Sequence, residues 1–161
     1  MRKSFFVIAI LLMLIVAPTA TLGTLAQSKP KAGSETAIRA VLDAQVAAWN
    51  RGDIESYMNG YDRSPNTEFV GADSITRGWQ DVLDRYKKRY DTREKMGVLT
   101  FSDLEITMVS KDAALVLGRW RLQRVVGPSQ RTNEEPHGTF TLLFRKRKAG
   151  WRIVHDHSSS A

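Results

Sequence analysis

After Gly97 the chain carries little except strands, and that limits what it can fold into. Four long runs of alternating, β-branched and aromatic residues follow one another: Gly97 to Val109, Ala113 to Val126, Gly138 to Lys146 and Trp151 to Ser158. Turn-rich links at Ser110-Lys111-Asp112, Gly127 to Pro136 and Lys148-Ala149-Gly150 separate them. Helices stand ahead of the strands. Ser34 is a good N-cap, and Ile38, Val41, Leu42, Val46 and Trp49 recur after it at helical spacing, with Gln45 on the same stripe. Asn50-Arg51-Gly52-Asp53 ends that helix on a glycine and opens the next on an aspartate cap, with Ile54, Tyr57, Met58 and Tyr61 as its buried face. Glu68 to Gly71 reads as a short strand, and Thr76 to Tyr90 as a third helix capped by Thr76. Helices first and long antiparallel strands last make an α+β pattern, with the helices on one face of a curved sheet.

The last strand holds the sharpest local signal. By strict alternation Trp151, Ile153, His155 and His157 point one way and Arg152, Val154 and Asp156 the other. The histidines are then either solvated groups at a sheet end or the polar floor of a pocket.

Residues 1–26 read as a signal peptide. Arg2 and Lys3 precede an apolar run from Phe5 to Ala17, Pro18 breaks it, and Thr24-Leu25-Ala26 offers small residues where a signal peptidase cuts. The run is shorter than the roughly 20 residues a bilayer span requires, so no stable membrane anchor is expected after cleavage. An uncleaved anchor is the alternative. Residues 27–33 form a flexible linker and 34–159 the domain, exported to the periplasm or beyond. The chain has no cysteine, so neither disulfides nor thiolates contribute. With Arg2 and Lys3 set aside, 22 basic residues face 17 acidic ones. Much of that excess lies in the runs beginning at Arg85 and Arg145, which read as a solvated helix face and a hairpin tip. No nucleic-acid partner is expected, because aromatics are not interleaved with the basic residues on an open sheet.

The Trp49-Asn-Arg-Gly-Asp hinge, Thr76-Arg77-Gly78-Trp79, Gly118-Arg119-Trp120, Gly138-Thr139-Phe140-Thr141 and the closing run Trp151 to Ser158 together resemble the nuclear transport factor 2-like superfamily, and within it the exported SnoaL-like proteins. The resemblance covers roughly Ser34 to Ser159. It implies a conical roll of about three N-terminal helices packed on a strongly curved, mainly antiparallel sheet, an apolar pocket between them, and homodimers. It implies no single activity. Against the ketosteroid isomerases of the superfamily, Gln45 stands where they carry an oxyanion-hole tyrosine. Their aspartate base falls near Val70 or Gly71, with Glu68 and Asp73 as neighbours out of register. Against the association domain of calmodulin-dependent kinase II, Arg121-Leu122 matches the strand bearing the pocket arginine, and His155 and His157 match its closing His-x-His.

The ligand-binding residues expected from these readings are Gln45, Trp49, Tyr57, Trp79, Arg121, Phe140, His155 and His157. Trp49, Tyr57, Trp79 and Phe140 would form an apolar wall, with Arg121 and the two histidines as a polar end suited to a small anion. For Gln45 core backbone is the competing partner, and for Arg121 it is solvent. Tyr61 and Tyr90 read as core or wall. His137, His155 and His157 could in principle hold zinc, but no acidic residue joins them at ligand spacing, so no metal is expected. No Gly-rich phosphate loop or nucleophile elbow appears, and no cofactor is expected. Two functions survive: a small-molecule-binding domain, and a cofactor-independent isomerase, lyase or hydrolase in which His157 or Asp73 moves a proton. A homodimer through the outer sheet face is expected, with Trp120 and Leu122 nearest the contact, or across it if the two faces are reversed.

Overall fold

The computed structural model describes residues 32–71, 73–124 and 135–161; the leader, most of the linker, and part of the link before Pro136 lie outside the described residues. Helix α1 (Ala32–Asn50) begins before Ser34, which sits inside the helix and does not cap it. Its buried stripe is Ile38, Leu42, Gln45, Ala48 and Trp49, the spacing of one helical face. Helix α2 (Ile54–Met58) starts as expected: the Asp53 carboxylate accepts from the Ser56 backbone N–H at 2.9 Å. Gly52 takes a φ of 84°, which lets the chain turn between the two helices.

Strands β1 (Glu68–Val70) and β2 (Ile75–Arg77) follow, then α3 (Trp79–Arg89) and a single-turn helix α4 (Arg93–Met96). Thr76 is therefore a strand residue, and Gly78 precedes the helix in its place. The long strands are β3 (Val98–Ser110), β4 (Ala113–Gln123), β5 (His137–Arg147) and β6 (Gly150–Ser160). The six form one sheet in the order β2-β1-β6-β5-β4-β3.

This corrects the conical roll expected from the resemblance. The described residues form four helices, of which α3 and α4 come after the first two strands. The sheet is mixed, since β1 runs parallel to β6, and it is neither closed nor strongly curved, with β2 and β3 as its edges. Hairpin links between the long strands are legible as antiparallel pairing. The three residues of β1 insert beside the last strand of the chain, and no local pattern records that pairing.

A β-bulge in β6 determines what faces the helices. Phe144 pairs with Ile153 and Leu143 with His155, so Val154 is an extra residue without a partner. Before it Trp151 and Ile153 are buried; after it Asp156 is buried and His157 is exposed. β5 has no such break, and Gly138, Phe140, Leu142 and Phe144 are all buried. On β4 the inner residues are Ala114, Val116, Gly118, Trp120 and Leu122. Trp120 and Leu122 therefore lie under the helices, away from the outer face where a dimer contact was expected. Leu115, Leu117, Arg119 and Arg121 occupy that outer face.

Candidate functional site

The hinge after α1 is fastened to the sheet by side chains. Asn50 donates from Nδ2 to the Leu99 carbonyl at 3.0 Å and accepts from the Leu99 N–H at 2.7 Å, extending the β3 edge onto the helix. The Arg93 guanidinium donates to the carbonyls of Trp49 and Asn50 at 2.9 and 3.1 Å, joining the Gly52 N–H at the first of them and fastening the end of the helix. The Trp49 indole donates to the Met96 carbonyl at 3.1 Å. These bonds hold Trp49 still while its ring faces inward.

Inside lies a cavity of about 160 Å³, between the helices and the inner face of the sheet. Trp49, Tyr57, Tyr86, Tyr90, Phe69, Phe101 and Phe140 form much of its wall. The Trp49 ring meets Tyr57 and Tyr90 edge-on at 5.1 and 4.7 Å, Tyr57 meets Tyr86 at 5.3 Å, and Phe101 meets Phe140 at 5.1 Å. Gly118 lies opposite Phe140, and a Cβ there would come within 2.4 Å of its ring. Only a glycine leaves that ring its place.

The polar floor is Asp156, which is 3 % exposed. The Tyr61 hydroxyl donates to its Oδ2 at 2.6 Å, and the Ser158 hydroxyl to its Oδ1 at 2.7 Å. Tyr86 joins through a hydroxyl contact with Tyr61 at 3.4 Å. Burial raises the Asp156 carboxyl above the usual carboxylate range, against the opposing pull of the Tyr61 and Ser158 donors. Burial, and then the charge of Asp156, push the Tyr61 phenol up as well. The floor is thus a carboxyl group biased toward its neutral form, ringed by hydroxyls that hold their protons.

The expected site residues divide. Trp49, Tyr57 and Phe140 line the cavity, as does Gln45, whose Nε2 donates to the Tyr57 carbonyl at 3.2 Å. Gly60 makes room for that amide, since a Cβ there would lie 2.5 Å from the Gln45 carboxamide carbon. Asp73 is exposed and lies at the opening. Trp79 does not line the cavity; its indole donates to the Met58 carbonyl at 3.0 Å under the Arg63 guanidinium. Arg121, His155 and His157 stand on the outer sheet face. Arg121 is exposed and paired with Glu135 at 3.3 Å, and His155 lies 3.1 Å from Glu68. The anion site built on those three residues is therefore corrected: the Val154 bulge carries both histidines outward and brings in Asp156, the residue between them. His137 sits at the start of β5 with Nδ1 2.8 Å from the Glu135 carbonyl. Among the described residues no group of three His, Cys, Asp or Glu is placed to hold a metal ion.

Sequence reasoning missed Asp156, Ser158, Arg85 and Arg89. A signal existed for the arginines: Arg85 and Arg89 share a four-residue spacing with their neighbours Tyr86 and Tyr90, so two adjacent stripes of α3 reach the cavity together.

A family model of the SnoaL-like domain matches residues 38–161. An NTF-2-like protein of unknown function from Shewanella oneidensis is 39% identical, superposes with a TM-score of 0.70, and covers 78% of this chain and 98% of its own. A ketosteroid isomerase-like protein from Erwinia carotovora atroseptica is 18% identical, covering 78% of this chain and 94% of its own at a TM-score of 0.60. A Xanthomonas campestris protein, assigned as a candidate calcium/calmodulin-dependent protein kinase II association domain, is 15% identical, covering 77% and 85% at a TM-score of 0.57. The last two likenesses show the fold alone. No curated protein matches the chain.

Proposed function

We propose a function for this chain from the premise that it belongs to the SnoaL-like domain family, within the nuclear transport factor 2-like superfamily: it is an exported domain that binds a small molecule in its aromatic cavity. The cavity carries the proposal. A core built only for stability closes on itself, whereas here rings from α1, α2, α3 and the sheet surround open space that ends on a buried carboxyl group. Native mass spectrometry of the purified protein tests it, together with ligand-observed NMR against a fragment library. A bound small molecule, or fragments displaced by Ser160→Trp at the opening, supports the proposal. An empty cavity that no fragment enters overturns it.

One observation favours a second reading, cofactor-independent acid–base catalysis. A carboxyl group raised by burial and hydrogen-bonded to a tyrosine is equipped to move or share a proton inside a cavity. That role falls to Asp156, because His157 faces solvent on the other side of the sheet and Asp73 stands outside the enclosed part. Carbon-labelled Asp156 should then titrate above the usual carboxylate range and shift when ligand binds. A carboxyl indifferent to ligand leaves the binding domain.

Export is part of the proposal and rests on the three-part leader in residues 1–26. Intact mass of the exported form should correspond to a chain starting at Gln27, and a retained leader would refute cleavage. Among the described residues no helix is long and apolar enough to cross a membrane. We also propose a homodimer through the outer sheet face, now centred on Leu117, which is 42% exposed beside Leu115. Light scattering of wild type and Leu117→Lys tests it: a dimer mass lost in the variant supports the contact, and a monomer at every concentration refutes it.

A further inference from the structure

Most arginines placed in this fold have an acidic partner. Arg39, Arg51, Arg77, Arg119, Arg121, Arg145 and Arg147 each lie within 3.4 Å of a carboxylate oxygen. The two that line the cavity do not form such pairs among the described residues. The Arg85 guanidinium lies over the Phe69 ring at 4.1 Å, and that of Arg89 stands 5.8 Å from the centre of Tyr90. Stacking on a ring uses the flat face of a guanidinium and leaves its in-plane N–H donors free. Arg85 is half-buried and passes close to Gly71, where even a Cβ would touch its Nη2 at 3.4 Å. Arg89, one turn later on α3, is exposed.

Two positive charges are thus set side by side at one end of an aromatic cavity, held by rings. Two carboxyl groups face the same space, Asp73 at the opening and Asp156 on the floor. They confine an incoming anion to the α3 side, and the floor suits a neutral polar group. The volume sets the scale: about 160 Å³ is close to that of an engineered apolar cavity known to take benzene, so one ring with a short substituent fits.

We infer that the ligand is an aromatic or alicyclic acid, its ring enclosed by Trp49, Tyr86 and Phe140 and its carboxylate forked by Arg85 and Arg89. This inference rests on the binding function proposed above and specifies its ligand class. The anion site moves from the outer arginine suggested by resemblance to a pair on α3 that the resemblance does not mention.

The test compares phenylacetate with phenylacetamide, alike in shape and different in charge, by isothermal titration calorimetry on the wild-type protein. Phenylacetate should bind at least about tenfold tighter, the scale of a hydrogen-bonded charge. The preference should shrink as salt is added. Arg85→Gln with Arg89→Gln should bring the two affinities together. Because Arg85 also packs on Phe69, Arg89→Gln alone serves as a second variant on an exposed position, and it should lose part of the preference with the melting temperature unchanged. Equal binding of acid and amide by the wild type overturns the inference and leaves the binding cavity standing. An acid preference that survives both substitutions overturns the assignment to α3. Binding of neither probe, with no fragment entering either, overturns the binding function and the inference together.

Discussion

Replacing Tyr61 with phenylalanine removes one oxygen from an enclosed polar contact. Tyr61 is 1 % exposed and Asp156 3 %, and the bond between them is 2.6 Å long, so solvent neither screens the interaction nor replaces it. The cost depends on the charge of Asp156, whose pKa is raised by burial. A carboxyl group with a raised folded pKa contributes stability below its unfolded value and loses it as pH climbs through the folded value. Tyr61 opposes that loss by donating to the ionised form. Without it the folded pKa rises further, and the variant loses more stability with rising pH than the wild type does. Below the unfolded value the variant forfeits an ordinary buried hydrogen bond, about 1 kcal/mol. Above the raised folded value it forfeits a charge-assisted one, about 2–3 kcal/mol. At about 4 °C per kcal/mol for a domain of this size, the melting temperature should fall by about 4 °C below the unfolded value and about 10 °C above the folded one. Urea denaturation of both proteins, from about pH 3 upward through the titration of Asp156, measures this directly. A deficit that is the same at both ends would refute the account, because the Tyr61 hydroxyl would then be indifferent to the charge on Asp156.

Asp156→Asn keeps the shape and cannot ionise, so its stability relative to wild type should improve steadily from acid to neutral pH, by up to about 1.4 kcal/mol per pH unit between the unfolded and folded pKa values; parallel pH profiles would count against it. Asn50→Ala breaks both bonds to Leu99 and should cost about 2 kcal/mol in chemical denaturation, whereas a loss under about 0.5 kcal/mol would mean that the hinge is held elsewhere. Gly118→Ala drives a methyl into Phe140 and should cost about 1–3 kcal/mol while altering the near-ultraviolet circular dichroism of the aromatic cluster. His157→Ala and Arg121→Ala, both exposed, should each change stability by less than about 0.5 kcal/mol and leave phenylacetate affinity as it was; a loss of affinity in either would return the anion site to the outer face.

Much of the scaffold was legible because its signals are local. Gly52 and Asp53 mark the break between helices by backbone freedom and side-chain capping, and the long strands differ from expectation by a few residues at their ends. Trp49, Tyr57 and Phe140 were legible as wall because large rings on apolar stripes are buried. What escaped depends on distant pairing. The parallel seat of β1 beside β6 joins residues far apart in the chain, and the helical turn Arg93–Met96 carries no apolar period. The basic run on α3 reads as solvated surface, which holds for Lys87 and Lys88 but not for Arg85, since only tertiary packing shows which arginines lean over the cavity.

Val154 behaves like a frameshift written in geometry. One surplus residue, taken up in the bulge, leaves every later side chain unchanged in identity and exchanges inside for outside against strict alternation, so the same letters His-Asp-His present an acid inward here and would present two imidazoles inward on a strand that paired without the bulge. Relatives that match this closing run letter for letter therefore need not share a pocket, and relatives that differ in it can. Pairing that absorbed Val154 into the ladder would exchange the acidic floor for a basic one with no residue mutated, whereas deletion of Val154 would restore plain alternation and keep Asp156 inward. Comparison across the family is sound at this strand only when positions are matched by the face they occupy.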